Sequence, residues 1–149
     1  MKTVNLYIGG CPLSTHYSNI LENKSDYDLE INGEKTEFKI SIADALMSDT
    51  WDFVTLQQVS TQSGSFETYS PYIEAVSDFV RKNCPEAKIL IHETWAYEEG
   101  CTLLKNHYPD MTSEDMYENV VRCYREIEKE AGFDGLIPAG ELMHALLEG

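Results

Sequence analysis

The stretch Trp51-Asp52-Phe53-Val54-Thr55-Leu56-Gln57-Gln58-Val59-Ser60-Thr61-Gln62-Ser63-Gly64 decides how the rest of the chain is interpreted. It begins as an apolar run and ends in amide, hydroxyl and glycine residues, and a helical pattern follows. This is typical of a buried parallel strand that delivers a polar loop to the edge of a sheet, where open α/β folds bind ligands. The stretch therefore predicts a functional surface, although a polar loop without a function has the same composition.

The overall composition is that of one globular domain. The chain has 149 residues, of which 42% are hydrophobic and 11% aromatic, so it is long enough to bury its own core. The net charge is −15, from 26 acidic and 11 basic residues. A charge of this sign repels phosphate backbones and anionic membrane surfaces. We therefore expect neither a nucleic acid nor a membrane as partner.

The cysteines and histidines give no sign of a metal or redox site. The chain has four of each, widely spaced, and it contains neither a C-x-x-C pair nor an H-E-x-x-H motif. We predict no metal and no other cofactor. The N-terminal apolar run is too short and interrupted for a signal peptide, which favours a cytoplasmic protein, or a secreted one if the natural N-terminus lies upstream.

Hydrophobic periodicity predicts alternating strands and helices. Residues 4–8 form a predicted strand that ends at Gly9-Gly10, and two alternating runs flank Asn32-Gly33, a strong β-hairpin signal. Long amphipathic helices are predicted after Pro71, with Ser70 as its cap, and after Thr112. Residues 11–24 are predicted as a loop or short helix, and residues 98–111 as irregular.

The order of the elements predicts a mainly parallel sheet with helices on both faces, in a single domain covering residues 1–149. Four polar or glycine-rich segments follow predicted strands, at residues 9–11, 57–64, 92–97 and 138–140. In a doubly wound sheet these segments converge on one edge. That convergence is the main argument for a functional site.

The first two of these segments contain candidate hydrogen-bond donors. Gly9-Gly10 offers backbone N–H groups that can stabilise an oxyanion, while a tight turn explains the same pair. Gln57 and Gln58 are unusual at the end of an apolar strand, because a buried amide is costly unless its hydrogen bonds are met. Either one of them donates to a ligand or a reacting oxygen, or it pins the loop backbone. Side-chain alternation turns only one of the two toward the site.

The remaining candidates are aromatic and nucleophilic side chains. Trp95 and Tyr97 can form a wall against which a sugar stacks, or pack into the core. Hydroxyl and thiol groups are present in the candidate loops, at Ser14, Ser60, Ser63 and Cys11. None lies in a G-x-S-x-G motif or has a histidine and acid partner visible in the sequence, so no nucleophile is identified.

Several blocks of the sequence, in order, resemble a bacterial family of unknown function in the SGNH/GDSL hydrolase clan. They are Leu6-Tyr7-Ile8-Gly9-Gly10-Cys11-x-Leu13-x-x-His16, Trp51-Asp52-x-Val54-Thr55-Leu56-Gln57-Gln58-x-Ser60, Tyr69-x-Pro71-Tyr72, Thr94-Trp95-Ala96-Tyr97, Met116-Tyr117 and Ile137-Pro138-x-Gly140. The resemblance implies a three-layer α/β/α sandwich of flavodoxin-like type, here with a β-hairpin insertion. It also implies a serine esterase, of which many remove acetyl groups from carbohydrates.

The resemblance also assigns roles to individual residues. Gly10 matches the oxyanion-hole glycine, and Gln58 falls near the second oxyanion donor. The expected substrate is a small-molecule or carbohydrate ester. The substrate-binding candidates are Gln57, Ser60, Ser63, His16, Trp95 and Tyr97.

The sequence departs from the clan at both ends. The clan's nucleophilic serine precedes the glycine block and its Asp-x-x-His block follows the last helix, and neither is matched here. The clan's first strand, central to the sheet, is unmatched as well. We therefore expect a domain without that strand and without the C-terminal catalytic block, inactive as an esterase by itself.

Three arrangements are compatible with the unmatched central strand. The chain belongs to a longer gene product, or the strand at residues 4–8 fills the gap, or a second chain does, as in a homodimer. The alternative function is a non-catalytic carbohydrate-binding or self-associating module.

Overall fold

Residues 1–149 form six strands and six α-helices in the computed structural model. In chain order the elements are β1 (Val4–Tyr7), α1 (Leu13–Glu22), β2 (Tyr27–Ile31), β3 (Glu34–Ile40), α2 (Ile42–Met47), β4 (Phe53–Leu56), α3 (Tyr72–Asn83), β5 (Lys88–His92), α4 (Thr102–His107), α5 (Ser113–Glu130), β6 (Gly135–Ile137) and α6 (Ala139–Glu148). The predicted strands and long helices are confirmed. The segment predicted as irregular contains the short helix α4, and α1 is a helix of 10 residues.

The strands form two separate three-stranded sheets. In the first, β1, β2 and β3 are antiparallel with β2 in the middle. In the second, β4, β5 and β6 are parallel with β5 in the middle. The turn between β2 and β3 is Asn32-Gly33, with φ values of 53° and 83°. Positive φ at both positions is what a two-residue hairpin turn requires, so the predicted hairpin is confirmed.

Side-chain contacts join the two sheets at both ends of β1 and β4. Before the strands, Lys2 Nζ lies 2.8 Å from Asp49 Oδ2 and 5.6 Å from the centre of the Trp51 ring. After the strands, Leu13 N donates to Gln58 Oε1 at 3.0 Å. The segments before β1 and β4 thus lie close together, and so do the segments after them, so the two strands run in the same direction.

β1 and β4 nevertheless do not pair with each other. β1 pairs only with β2, and β4 pairs only with β5, so each keeps one unpaired edge. The strand at residues 4–8 consequently does not fill the central position implied by the resemblance. Of the three arrangements compatible with the sequence, the one in which residues 4–8 fill the gap is therefore excluded.

The core lies on one face of the parallel sheet. The larger cluster packs α1, α3, α4 and α5 against Ile91, and the smaller one packs α2 and α3 against Ile89. The opposite face carries Phe53, which is 58% exposed, and the half-buried Leu90 and Ile137. Helices α1 to α5 thus form a layer against this face of the sheet. No helix combines the length and the apolar character needed to cross a lipid bilayer.

Capping interactions explain where several helices begin. Thr112 and Asp115 form the predicted capping box of α5, with the Thr112 hydroxyl accepting from Asp115 N and the Asp115 carboxylate accepting from Thr112 N. Ser41 Oγ accepts from Asp44 N at the start of α2. The predicted cap of α3 is wrong, because Ser70 contacts the Glu74 carboxylate instead of a backbone N–H.

Candidate functional site

The segments that follow the strands are joined by direct hydrogen bonds. Leu13, after β1, donates its N–H to Gln58, after β4. Ser60 Oγ and Tyr97 OH lie 2.8 Å apart and link the β4 and β5 segments. Glu141 N, after β6, donates to Glu93 Oε1 at 2.7 Å. Hydrogen bonds therefore connect the regions that follow the four strands, from the start of α1 through the β4 and β5 segments to α6.

Buried tyrosine hydroxyls hold the polar loop after β4. Tyr69 OH donates to Ser63 O at 2.7 Å, and Tyr108 OH donates to Ser60 O and accepts from Gly64 N, both at 3.1 Å. Burial raises the pKa of both phenols, so both stay protonated at neutral pH and can donate. The loop backbone is thus fixed by side chains from the helical layer.

Gln58 is fully buried and all its amide hydrogen bonds are made within the chain. Its Oε1 accepts from Leu13 N at 3.0 Å and from Val59 N at 2.9 Å. Its Nε2 donates to Thr68 O and Thr68 Oγ1 at 3.0 and 3.1 Å, and its backbone N–H donates to Tyr124 OH. Gln58 therefore pins the loop, and the oxyanion role assigned to its side chain does not fit this geometry.

The backbone N–H of Gly10 is a free hydrogen-bond donor, whereas the amide of Gln58 has none left. The φ of Gly10 is +63°, this residue is exposed, and its backbone N–H donates to no other group of the chain. Gln57 is exposed while Gln58 is buried, as strand alternation requires. Gly10 and Gln57 thus lie on the open side of the edge.

His16 lies behind the Gly9-Gly10 turn, in a half-buried polar cluster. Asn19 Nδ2 donates to Tyr27 OH at 3.1 Å, and His16 Nδ1 lies 2.8 Å from the same hydroxyl. Cys11 Sγ lies 3.6 Å from the same nitrogen. Burial lowers the pKa of His16 and raises that of Cys11, so the imidazole and the thiol are both held neutral. The cluster anchors α1 on the hairpin.

None of the serines has a histidine partner. Ser63 is fully buried and its Oγ donates to Ser60 O, while Ser60 Oγ bonds to Tyr97 OH. No serine hydroxyl elsewhere in the chain bonds to an imidazole nitrogen. A serine needs an adjacent base to become nucleophilic, so the described residues do not identify a nucleophile.

Trp95 and Tyr97 line a cleft of about 580 Å³ between the segment after β5 and helices α5 and α6. Trp95 is 53% exposed, whereas Tyr97 is half-buried and also packs against the larger core cluster. Ser113 Oγ donates to Tyr97 O at 2.6 Å and fixes the wall of the cleft. On another wall Tyr117 stacks on His144, with ring centres 3.7 Å apart.

Glu93 and Gly140 position α6. The sequence did not predict this role for either residue. Glu93 is fully buried, its Oε2 has no partner, and burial raises its pKa. A Cβ on Gly140 would lie 2.6 Å from Glu93 Oε1 and collide with Thr94 O, so only glycine fits. A carboxylate directly after the apolar strand β5 was the available signal in the sequence.

One group of side chains has the spacing of a metal site. Oxygen atoms of Glu114 and Glu148 and a ring nitrogen of His144 all lie within 4.8 Å of one another. Both glutamates are exposed. Exposed carboxylates commonly gather in this way without a metal, so the arrangement alone assigns none.

Comparison with solved structures defines the class of protein. A proposed SGNH hydrolase from Slackia heliotrinireducens superposes with a TM-score of 0.66 at 22% identity, over 92% of this chain and 64% of that one. With the parallel sheet described above, this similarity shows a flavodoxin-like α/β fold.

The family follows from two further matches. The model of the domain of unknown function DUF4886 matches residues 2–146, and the chain belongs to this family. A DUF4886 protein from Bacteroides uniformis superposes with a TM-score of 0.87 at 30% identity, over 97% of this chain. The present chain spans 57% of the length of that protein. No curated protein matches this chain.

Proposed function

We propose that this chain is the scaffold of an SGNH-type serine hydrolase that cleaves acyl esters, such as acetylated carbohydrates. Its nucleophile would arrive on a further parallel strand that enters between β1 and β4. The proposal is carried by the unpaired edges of these two strands, which run in the same direction. A strand between them would meet backbone groups that are otherwise left without partners.

The position of such a strand suits the chemistry. Its carboxyl end would emerge beside Gly10, Gln57 and Ser60. A serine there would attack the ester carbonyl, and a histidine, also outside the described residues, would accept its proton. The backbone N–H of Gly10 is a free donor available for the oxyanion. The alcohol then leaves with a proton, and water releases the acid.

Covalent labelling tests whether the nucleophile lies outside this chain. A fluorophosphonate probe and p-nitrophenyl acetate would be applied to this chain and to the Bacteroides uniformis relative. We expect no label and no turnover in this chain. In the relative we expect turnover and a labelled serine outside the region that aligns with residues 1–149. A stable adduct on Ser14, Ser60 or Ser63 of this chain, or an unlabelled and inactive relative, would contradict the proposal.

The cleft beside Trp95 favours a second candidate, a carbohydrate-binding module without catalysis. An exposed indole next to a half-buried phenol is a surface on which sugar rings stack. Binding of an acetylated glycan by both proteins, with no acetate released by either, would favour this candidate over the hydrolase.

A further inference from the structure

We propose that the cleft beside Trp95 binds a ligand that carries an ammonium group, either a protonated amine or a quaternary nitrogen. The inference rests on the proposed function, because it names the ligand class for the cleft next to the proposed reaction site. It is argued from the aromatic walls, the charges and the hydrogen-bonding groups of the cleft.

The aromatic walls are suited to a cation. Trp95, Tyr97 and Tyr117 line the same space, and the Trp95 side chain is 53% exposed at its mouth. A cation placed over the face of an aromatic ring is attracted by the ring's quadrupole, most strongly over tryptophan. The rest of the apolar lining, which includes Met143 and Leu147, can take the carbon skeleton of the ligand.

The charges of the cleft have the complementary sign. Glu98 and Glu99 line it, and no lysine or arginine does. Ser113 N donates to Glu99 Oε2 at 2.7 Å, so this carboxylate is held in place. Carboxylate oxygens of Glu114 and Glu148 lie 3.8 and 3.5 Å from Nε2 of His144, which lines the cleft. In a protein with a net charge of −15, this field attracts cations and repels anions.

The carboxylates are the strongest hydrogen-bond acceptors of the cleft. The lining contains no asparagine or glutamine, and the Ser113 hydroxyl already donates to Tyr97 O. The carboxylates offer only acceptors. A protonated amine donates to these acceptors, and a quaternary nitrogen is attracted by their charge. Trp95 and Tyr117 also line the cleft and can donate to a hydroxyl group, so it is the negative charge of the carboxylates that favours a cation over a neutral polyol.

Titration with matched probes tests the ligand class. Glucosamine at about pH 6, glucose and choline would be titrated into the chain, with binding followed by calorimetry and by Trp95 fluorescence. We expect glucosamine to bind about tenfold more tightly than glucose at low salt, and the difference to shrink at high salt. Choline distinguishes the two kinds of ligand. If choline binds at least as tightly as glucosamine, the ligand carries a quaternary nitrogen. If choline binds more weakly, the ligand is an amino sugar.

Variants identify the site. Trp95→Ala and Glu99→Gln should each weaken glucosamine binding, the first about tenfold. Phe38→Ala and Glu37→Gln remove an exposed phenyl ring and carboxylate on β3, far from the cleft, and should change nothing. Equal affinity for glucose, no binding of either cation, or full binding by Trp95→Ala would overturn the inference. If one of these results is found while the relative still hydrolyses esters, the proposed ligand class is wrong but the proposed function stands.

Discussion

Gln58 shows how one side chain can fix a loop, and its neighbour provides the control. Gln58→Leu keeps the volume but removes the acceptor of Leu13 N and Val59 N and the donor to Thr68. Because buried groups are then left unpaired, we expect a loss of about 2–4 kcal/mol in the free energy of unfolding, measured in urea. Gln57→Leu, at an exposed position, should change it by less than about 0.5 kcal/mol. Equal losses in the two variants would show that the amide network is not what stabilises the loop.

Glu93 should make stability depend on pH. Because burial raises its pKa in the folded state, the native protein holds this proton more tightly than the unfolded chain does. Its contribution is therefore fully present below the usual glutamate pKa and is lost as the pH rises through the raised value. Glu93→Gln removes the titration, so the variant should gain stability relative to the wild type as the pH is raised from about 4, the usual glutamate value, to neutral.

Urea unfolding of both proteins across that interval measures the effect of Glu93. Glu37→Gln, which removes an exposed carboxylate, should run parallel to the wild type. If the curve for Glu93→Gln is parallel as well, Glu93 is ionised in the folded protein despite its burial.

At the residue scale the sequence predicted that only one of the two glutamines faces the site, but not which one, nor what the buried one contacts. Alternation along β4 separates Gln57 from Gln58 because the period of a strand is two. The partners of Gln58 lie 45 and 10 residues away, at Leu13 and Thr68. Such distances in sequence leave no local signal. For the same reason the burial of Ser63 and the position of His16 emerged only from the fold.

Among the elements, α6 depends most directly on one residue. Gly140→Ala would place a methyl group against Thr94 O and Glu93 Oε1, both of them fixed at the end of β5. Because overpacking against backbone cannot easily relax, we expect a loss of about 1–3 kcal/mol or more, and faster amide exchange in α6. At Gly135 the new Cβ would meet only the end of the Leu90 side chain, at 3.3 Å. Gly135→Ala should therefore cost less, and the reverse order would contradict this account of α6 docking.

The elements were predictable where local chemistry defines them. Asn32-Gly33 and the Thr112 capping box fix a turn and a helix start within a few residues. α1 has no side-chain cap, and α4 has six residues held by the burial of Leu104, so neither has a strong local pattern. The split into two sheets depends on which strands pair across the whole chain. Periodicity does not carry that information.

At the scale of the whole molecule, the unpaired edges of β1 and β4 predict self-association. Open strand edges are templates for pairing with another chain, and Phe53 is exposed beside one of them. We expect light scattering to show a dimer at about twice 17.0 kDa as concentration rises. Phe53→Lys should weaken it, because a charge on an edge strand opposes pairing, whereas Phe38→Lys on β3 should not. A 17.0 kDa monomer at every concentration would remove the homodimer from consideration.

The tyrosines that hold the polar loop bear on the thermodynamics of any ligand bound there. Tyr69, Tyr108 and Tyr124 hold the backbone between Gln58 and Gly64, and all three are buried in the core that α5 completes. The conformational entropy of this loop is therefore lost when the chain folds, before a ligand arrives. A ligand that contacts the loop meets a preorganised surface, and its affinity is not reduced by the cost of ordering it.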